Sequence, residues 1–351
     1  MKKVLGHIFI DGVNGTALGV LVTYAFGTIL QQIGSLLSAE LKDYFISIGA
    51  LLIILTGAGI AAGMASVFGA KPAVALAAIV SGMVGAHADS IYASSLALKE
   101  TVVRIGGTGD MLGAFIAALI ALEVGNLVAG KTEFDLLLTP LASLVSGCFT
   151  GMILQPTLST GMEHLAQAFE WSTKQNPVLM GIFLASLACI FSLLPINLVT
   201  LLGIANIHGA AAGAVTIGCC CCMIGYAFAS YRDNKACGLF LQGIGTAKLQ
   251  LANTFKKPYI LLPALVSSAV LGGISTGLFN LTNGVRGAAA GATGLVGWSN
   301  AYEHALDNMG STEALILVSL LCFILPAVFS LGIAEGLRKA GLLKDGDMKI
   351  S

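Results

Sequence analysis

Several polar and ionisable residues sit inside long apolar stretches, where such groups are costly and therefore candidates for work on a solute. His87 and Asp89 stand together in Gly85-Ala-His-Ala-Asp-Ser90. Shortly after comes Gly106-Gly-Thr-Gly-Asp110, a glycine-rich turn that opens an apolar helix. Backbone N–H groups exposed at such a helix start can bind an anion or a polar solute. The plainer reading is that Asp110 only complements the dipole of its own helix. Glu123 lies within Ala-Leu-Ile-Ala-Leu-Glu-Val-Gly, where contact with lipid would be expensive, so it is expected to face the protein interior or an aqueous cavity.

The second half of the chain carries a matching set. Asn206-Ile-His208-Gly lies between two apolar helices, and His208 either binds a solute or bonds a loop carbonyl. Gln242-Gly-Ile-Gly-Thr246-Ala-Lys248 is a second Gly-Thr turn, with a lysine near the place of the earlier aspartate. Asn280, Asn283 and Arg286 lead into a Gly/Ala-rich segment; a guanidinium there suits a carboxylate, phosphate or sulfate, or marks a membrane boundary. The expected solute contacts are Thr108, Asp110, Gln242 and Thr246, surrounded by His87, Glu123, Asn206, His208 and Asn283. Thr and Asn side chains beside open helix starts supply hydrogen bonds at mid-depth, while Glu123 and His208 could handle charge or protons.

Other chemistries are less well served. Cys219, Cys220, Cys221 and Cys222 are consecutive, and neighbouring side chains on a helix point in different directions, so they cannot converge on one metal. They read as small, polarizable packing residues. Cys148, Cys189, Cys237 and Cys322 show no C-x-x-C spacing. No Walker A pattern, Ser-His-Asp arrangement or metal-ligand motif stands out, so neither a catalytic group nor a cofactor or metal is expected.

These residues must be positioned by an apolar scaffold. Of 351 residues, 56% are hydrophobic and only 10% charged, against about 25% charged in a typical soluble domain. Mean hydropathy is +0.89. The formal net charge is zero, which leaves no electrostatic footprint for nucleic acid. The 44 glycines suit helices packed backbone to backbone, the usual basis of helix association in a bilayer. The fold class is therefore an all-α polytopic membrane protein. Apolar spans are expected near 12–36, 46–69, 72–88, 108–130, 135–160, 177–204, 208–229, 258–280 and 312–336. Segments 238–255 and 287–300 are too short or too interrupted to cross comfortably and read as re-entrant or broken, giving about ten embedded helices. No cleavage site follows the apolar start, so a removable signal peptide is not expected. Lys2, Lys3, Arg338, Lys339, Lys344 and Lys349 favour cytoplasmic ends, as do Arg232, Lys235, Lys256 and Lys257 for their loop.

A shift of about 140 residues pairs Gly63 with Gly203, Gly69 with Gly209, Gly85 with Gly225 and, with a small offset, Gly107-Thr108 with Gly245-Thr246. This predicts related halves, 46–165 and 177–300, more naturally inverted than parallel.

Asn176-Pro177 at a helix start, Pro195-Ile-Asn197, Ile204-Ala-Asn-Ile-His-Gly-Ala-Ala-Ala-Gly213, Gly243-Ile-Gly-Thr246 and Asn283-Gly-Val-Arg-Gly287 together resemble one family. It is the phosphotransferase-system subunit IIC-like family that includes the perfringolysin O regulatory protein, and the resemblance covers roughly 5–340. It implies a single permease domain, 1–351, in the bacterial cell membrane, usually dimeric, that binds and moves a sugar. Phosphorylation would come from separate IIA and IIB subunits, since no phospho-histidine or phospho-cysteine domain is recognisable here. The acidic sugar-binding motifs of glucose-type permeases are not recognisable either. An uncoupled carrier of a small solute or anion, or a membrane sensor that regulates gene expression, stays open as an alternative.

Overall fold

The computed structural model describes residues 6–94, 103–131 and 133–350, the side chain of Ala39 excepted. Lys2 and Lys3, which entered the orientation argument, lie outside the described residues. Among the described residues the chain is helical, with a lone antiparallel bridge between Gly209 and Asn283. Contacts divide it into two compact units, one running up to Gly161 with Pro195–Asn197, the other Met162–Leu194 and everything from Leu198.

The first unit opens with α1 (His7–Ser35), which contains π turns at His7–Gly12 and Leu21–Ala25. Thr16, Thr23 and Thr28 donate their hydroxyls back to the carbonyls of Gly12, Gly19 and Tyr24, the usual way a hydroxyl is satisfied inside an apolar helix. Next come α2 (Ala39–Ile54) and α3 (Thr56–Val67), bent by 58° across Leu55. The expected span 46–69 is therefore broken near its middle. After α4 (Pro72–Ala86) and the short α5 (Ala88–Tyr92), α6 (Met111–Val128) and α7 (Asp135–Thr173) follow. Helices α3, α4 and α6 pack against one another around Ile60, Met64, Val74, Ala114 and Leu122, all fully buried. Glycines set the distances: Gly57 meets the Gly82 backbone, and Gly85 meets Gly113.

At 39 residues, α7 is about 58 Å long at 1.5 Å per residue, well beyond a hydrocarbon layer of about 30 Å. It was expected to end near 160, but no glycine or proline stops it there; Pro156 is accommodated inside the helix, and the chain breaks only before Asn176-Pro177.

The second unit is built on α10 (Gly209–Ala229), the most deeply buried candidate span, 94% buried in its apolar window. It packs against α8 (Pro177–Leu193) and α13 (Pro258–Phe279), which also pack on each other. The expected span 177–204 is interrupted: α8 stops at Leu193, Pro195 follows, and α9 (Leu198–Ile204) is separate. The chain continues through α11 (Tyr231–Phe240), α12 (Leu251–Lys256), α14 (Val285–Ala290), α15 (Val296–Ala305) and α16 (Ser311–Lys339). The four consecutive cysteines of α10 are all buried, and none of them is in a disulfide. The Gly291 turn lies against Cys219, and Gly218 lies against Ala185 of α8.

Among the described residues, six helices (α1, α6, α7, α10, α13 and α16) are long and apolar enough to cross a membrane, or seven if the bent pair α2–α3 counts as one span. Helices α4 and α8 are shorter apolar helices of 15 and 17 residues.

Beyond α16 the chain turns at Gly341 (φ +73°) and folds back over the second unit. Asp347 anchors this segment: its carboxylate contacts Lys257 Nζ at 2.5 Å and accepts the Lys344 N–H at 2.9 Å. Burial alone would raise the Asp347 pKa, but the Lys257 and Lys344 bonds and the two ammonium charges outweigh it and hold the pKa below its ordinary value. A depressed carboxylate pKa stabilises the fold above the unfolded value and loses that contribution as pH falls through the folded one. Hydrogen-exchange protection of the Met348 and Ile350 amides is therefore expected to hold from neutral pH down to about pH 4 and to fall below it. Asp347→Asn should weaken that dependence. Protection that is flat through the acid range in the wild-type chain would contradict this.

Candidate functional site

The two interrupted segments expected at 238–255 and 287–300 are both broken. In the first, α11 runs into a π turn, Leu241–Gly245; Thr246 is extended (φ −155°, ψ 137°), and a 3-10 turn, Ala247–Gln250, leads into α12. Thr246 caps this restart, its hydroxyl accepting the Lys248 N–H at 3.3 Å. In the second, α14 stops at Gly291 (φ +54°), and positive φ angles at Gly294 and Leu295 precede α15.

The breaks meet. Thr293 donates its hydroxyl to the Gly245 carbonyl at 3.1 Å, and both segments pack on α10. This satisfies a backbone acceptor that the π turn leaves open, which an interrupted helix in apolar surroundings requires. Lys248 makes a second tie. Its ammonium donates to the Ser192 carbonyl at 2.8 Å and to the Leu194 carbonyl, at the end of α8. The lysine is 7% exposed, and among the described residues no carboxylate pairs with it. Gln242, fully buried, donates to Ser230 Oγ (2.8 Å) and the Gly238 carbonyl (3.0 Å), while its Oε1 has no partner. The amide orientation follows from the Gly238 carbonyl, which can only accept.

Asn283 is a hub in the same unit. Its amide donates to Thr216 Oγ1 (2.8 Å) and the Gly297 carbonyl (3.0 Å), its Oδ1 accepts the Gly284 N–H (2.8 Å), and its own N–H bonds the Gly209 carbonyl (3.1 Å). It is 1% exposed, so its side chain positions the neighbouring loops in this conformation. Asn206 (φ +52°) and His208 are exposed on the turn before α10, which the Asn283 bond to Gly209 holds in place. Arg286 is exposed on α14, and Asn280 ends α13 in the left-handed region.

In the first unit, the Gly106–Asp110 turn docks on the end of α4. The Asp110 N–H bonds the Ala86 carbonyl at 2.7 Å, and the Asp110 carboxylate accepts the Leu112 N–H at 3.0 Å as the N-cap of α6. Gly109 (φ +64°) sits against the Ala86 backbone and the His87 ring, leaving no room for a side chain. Its carbonyl accepts from Thr108 Oγ1 (3.2 Å) and from Asn197 Nδ2 (3.1 Å). His87, Thr108 and Asp110 are thus brought together around one glycine. Asp89 is exposed one turn beyond.

Glu123 has its partner on another helix. It lies five residues before the end of α6 and bonds His7 Nε2 at 3.1 Å. His7 also faces Asp11 at 3.5 Å and stacks on Phe68 with ring centroids 4.0 Å apart. All three ionisable side chains are 40–50% exposed, so this cluster belongs to one end of the unit and is separate from the His87–Asp110 turn. Sequence reasoning missed His7 as Glu123's partner, Asn197 as a ligand of the Gly109 carbonyl, and Thr293 as the link between the breaks. Each residue was visible in the sequence, but not its pairing. Among the described residues, no three His, Cys, Asp or Glu side chains converge as a metal site would require.

Residues 10–350 match the family model described as phosphotransferase system, EIIC. The chain belongs to this EIIC family. No curated protein matches it. Family and fold agree: an EIIC chain is the multi-pass membrane permease of a phosphotransferase system, and this one carries the apolar helices that the role needs.

Proposed function

We propose that the protein binds and translocates a sugar, and that separate IIA and IIB subunits supply the phosphoryl group. The observation that carries this reading is the pair of broken segments joined through Thr293 and Gly245 beside a buried helix. Irregular backbone in an apolar protein persists where it is buried or lines a solute path, and discontinuous helices mark the sites of many carriers. A neutral polyhydroxylated solute fits these surroundings. Gln242 Oε1 offers an acceptor to a hydroxyl, and Thr246, Thr108 and the exposed Asn206 and His208 can both donate and accept.

In this reading the solute contacts are Thr108, Asp110, Gln242 and Thr246, with His87, Asn206, His208 and Asn283 supporting them, and Glu123 handling charge together with His7. The chain acts as one permease domain, a homodimer in the bacterial plasma membrane. Its halves, 46–165 and 177–300, descend from an inverted duplication. Two features support the duplication: each unit holds three mutually packed helices, and in each a Gly-Thr turn precedes the third of them.

A panel of radiolabelled sugars, offered to cells that express the protein together with phosphotransferase IIA and IIB subunits, tests the function. Uptake of one sugar with appearance of its phosphate ester, dependent on phosphoenolpyruvate, is the expected result. Uptake of the free sugar alone would point to an uncoupled carrier. For the site, Thr246→Ala is expected to weaken sugar affinity about threefold to tenfold, the equivalent of one neutral hydrogen bond. Asp110→Asn should act in the same direction. Unchanged affinity in both variants would move the site elsewhere.

A further inference from the structure

The segment that follows α16 makes contacts too specific for a loose tail. Leu343 is 2% exposed and Met348 fully buried. Asp233 accepts two of the segment's backbone N–H groups, Gly346 at 2.8 Å and Met348 at 3.0 Å. Asn234 reads both sides of the same backbone: its amide donates to the Met348 carbonyl at 2.7 Å and its oxygen accepts the Ile350 N–H at 2.8 Å. From further along the chain, Gln250 donates to that Met348 carbonyl at 2.7 Å, and Asn253 donates to the Lys349 carbonyl at 2.9 Å. Ion pairs complete the set: Asp347 with Lys257, and Asp345 with Arg232 at 4.0 Å and Arg338 at 3.8 Å.

The geometry has a particular consequence. Asn234 precedes the break at Thr246 and Gln250 follows it, yet both amides bond one carbonyl oxygen. The segment 231–257 therefore doubles back on itself as a hairpin, and Met348 staples its two limbs. Beside the staple, Lys235 has φ +52° and ψ −152°, a region that residues other than glycine occupy only under strain of order 1–3 kcal/mol. Such a conformation persists only where neighbouring contacts fix it, and Asn234, adjacent in sequence, is the residue the segment grips from both sides.

We propose that Leu343–Ile350 is a detachable clamp that holds this hairpin closed, and that its release opens the Gln242–Thr246 break to the solute. The gating half of this statement rests on the proposed function; the clamping half does not. The contacts suit reversible docking. They are side-chain-to-backbone hydrogen bonds and ion pairs of Asp345 and Asp347, anchored by two buried side chains, Leu343 and Met348.

Hydrogen exchange on the full chain in lipid nanodiscs tests the clamp without reference to any sugar. Asp233→Ala with Asn234→Ala, and separately deletion of Leu343–Ile350, should each speed amide exchange over 241–256 at least tenfold. A synthetic peptide of sequence Leu343–Ile350 should restore protection to the deletion variant but not to the double substitution. Exchange unchanged within twofold in the double variant, or no rescue by peptide, overturns the clamp. Gating is read separately with Lys257→Cys and Asp347→Cys in a Cys237→Ser background. Oxidative cross-linking should cut uptake at least tenfold, and reductant should return it. Undiminished uptake in the cross-linked protein overturns gating, while absence of uptake in the reduced and wild-type proteins alike would count against the proposed function and leave the exchange result standing.

Discussion

Replacing Gly213 by alanine is expected to prevent the protein from being recovered as a folded, monodisperse species. A methyl group there would lie inside the carbonyl of Leu281. That carbonyl belongs to the loop carrying Asn283, three of whose hydrogen bonds tie it to Thr216 of α10, to Gly209 and to Gly297. The obstacle is backbone and cannot rotate away as a side chain would. Alanine gains about 1 kcal/mol of helix propensity over glycine. Overpacking against fixed backbone costs about 1–3 kcal/mol in ordinary cores and more where nothing can give. Sterics win here, because separating α10 from this loop also strips the Asn283 hub of its partners. Gly203→Ala is the matched control: nothing lies within 4 Å of a methyl group there, and the residue has ordinary helical geometry. Comparing the two by fluorescence-detected size-exclusion and thermal melting checks the argument. A Gly213→Ala protein that melts within 2 °C of wild type would show that the α10–Leu281 approach is not what sets the packing.

The contrast between those glycines also shows what could be read from the chain alone. Abundant small residues announce close helix packing, and long uncharged runs announce spans, because both are local properties of composition. The two interruptions were equally visible, since Gly243, Gly245 and Lys248, and the Gly/Ala run after Arg286, break an apolar pattern within a few residues. Which glycine meets which backbone was not visible, because Gly213 finds Leu281 only through the fold. The same limit hid the partner of Glu123. The residue stands out as a carboxylate in an apolar run, but His7 lies 116 positions away, at the start of another helix. The closing segment was invisible for a further reason. Leu343–Ile350 looks like an ordinary charged tail, and its meaning resides in the Asp233, Asn234, Gln250 and Asn253 side chains that read its backbone. Backbone recognition leaves no signature in the recognised sequence.

Lys248 offers the sharpest separation of fold from function. Its ammonium is buried and held by the carbonyls of Ser192 and Leu194, where the end of α8 leaves acceptors without helical partners. Removing the charge by Lys248→Met keeps most of the side-chain volume. It recovers the desolvation of an ammonium, several kcal/mol, and loses two charge-assisted hydrogen bonds, about 1.5–3 kcal/mol each. These offset closely, so Lys248→Met is expected to fold with stability within about 1 kcal/mol of wild type. Lys248→Ala loses the same bonds and opens a cavity as well, so it should fall about 2–3 kcal/mol below the methionine variant. Sugar affinity should respond differently. Lys248 ties the restart after Thr246 to α8, and without the tie Thr246 and Gln242 lose their fixed placement, so both variants should bind sugar at least tenfold more weakly. A methionine variant as unstable as the alanine one would make the ammonium a requirement of the fold. A methionine variant that binds sugar as wild type does would remove Lys248 from the positioning of the site.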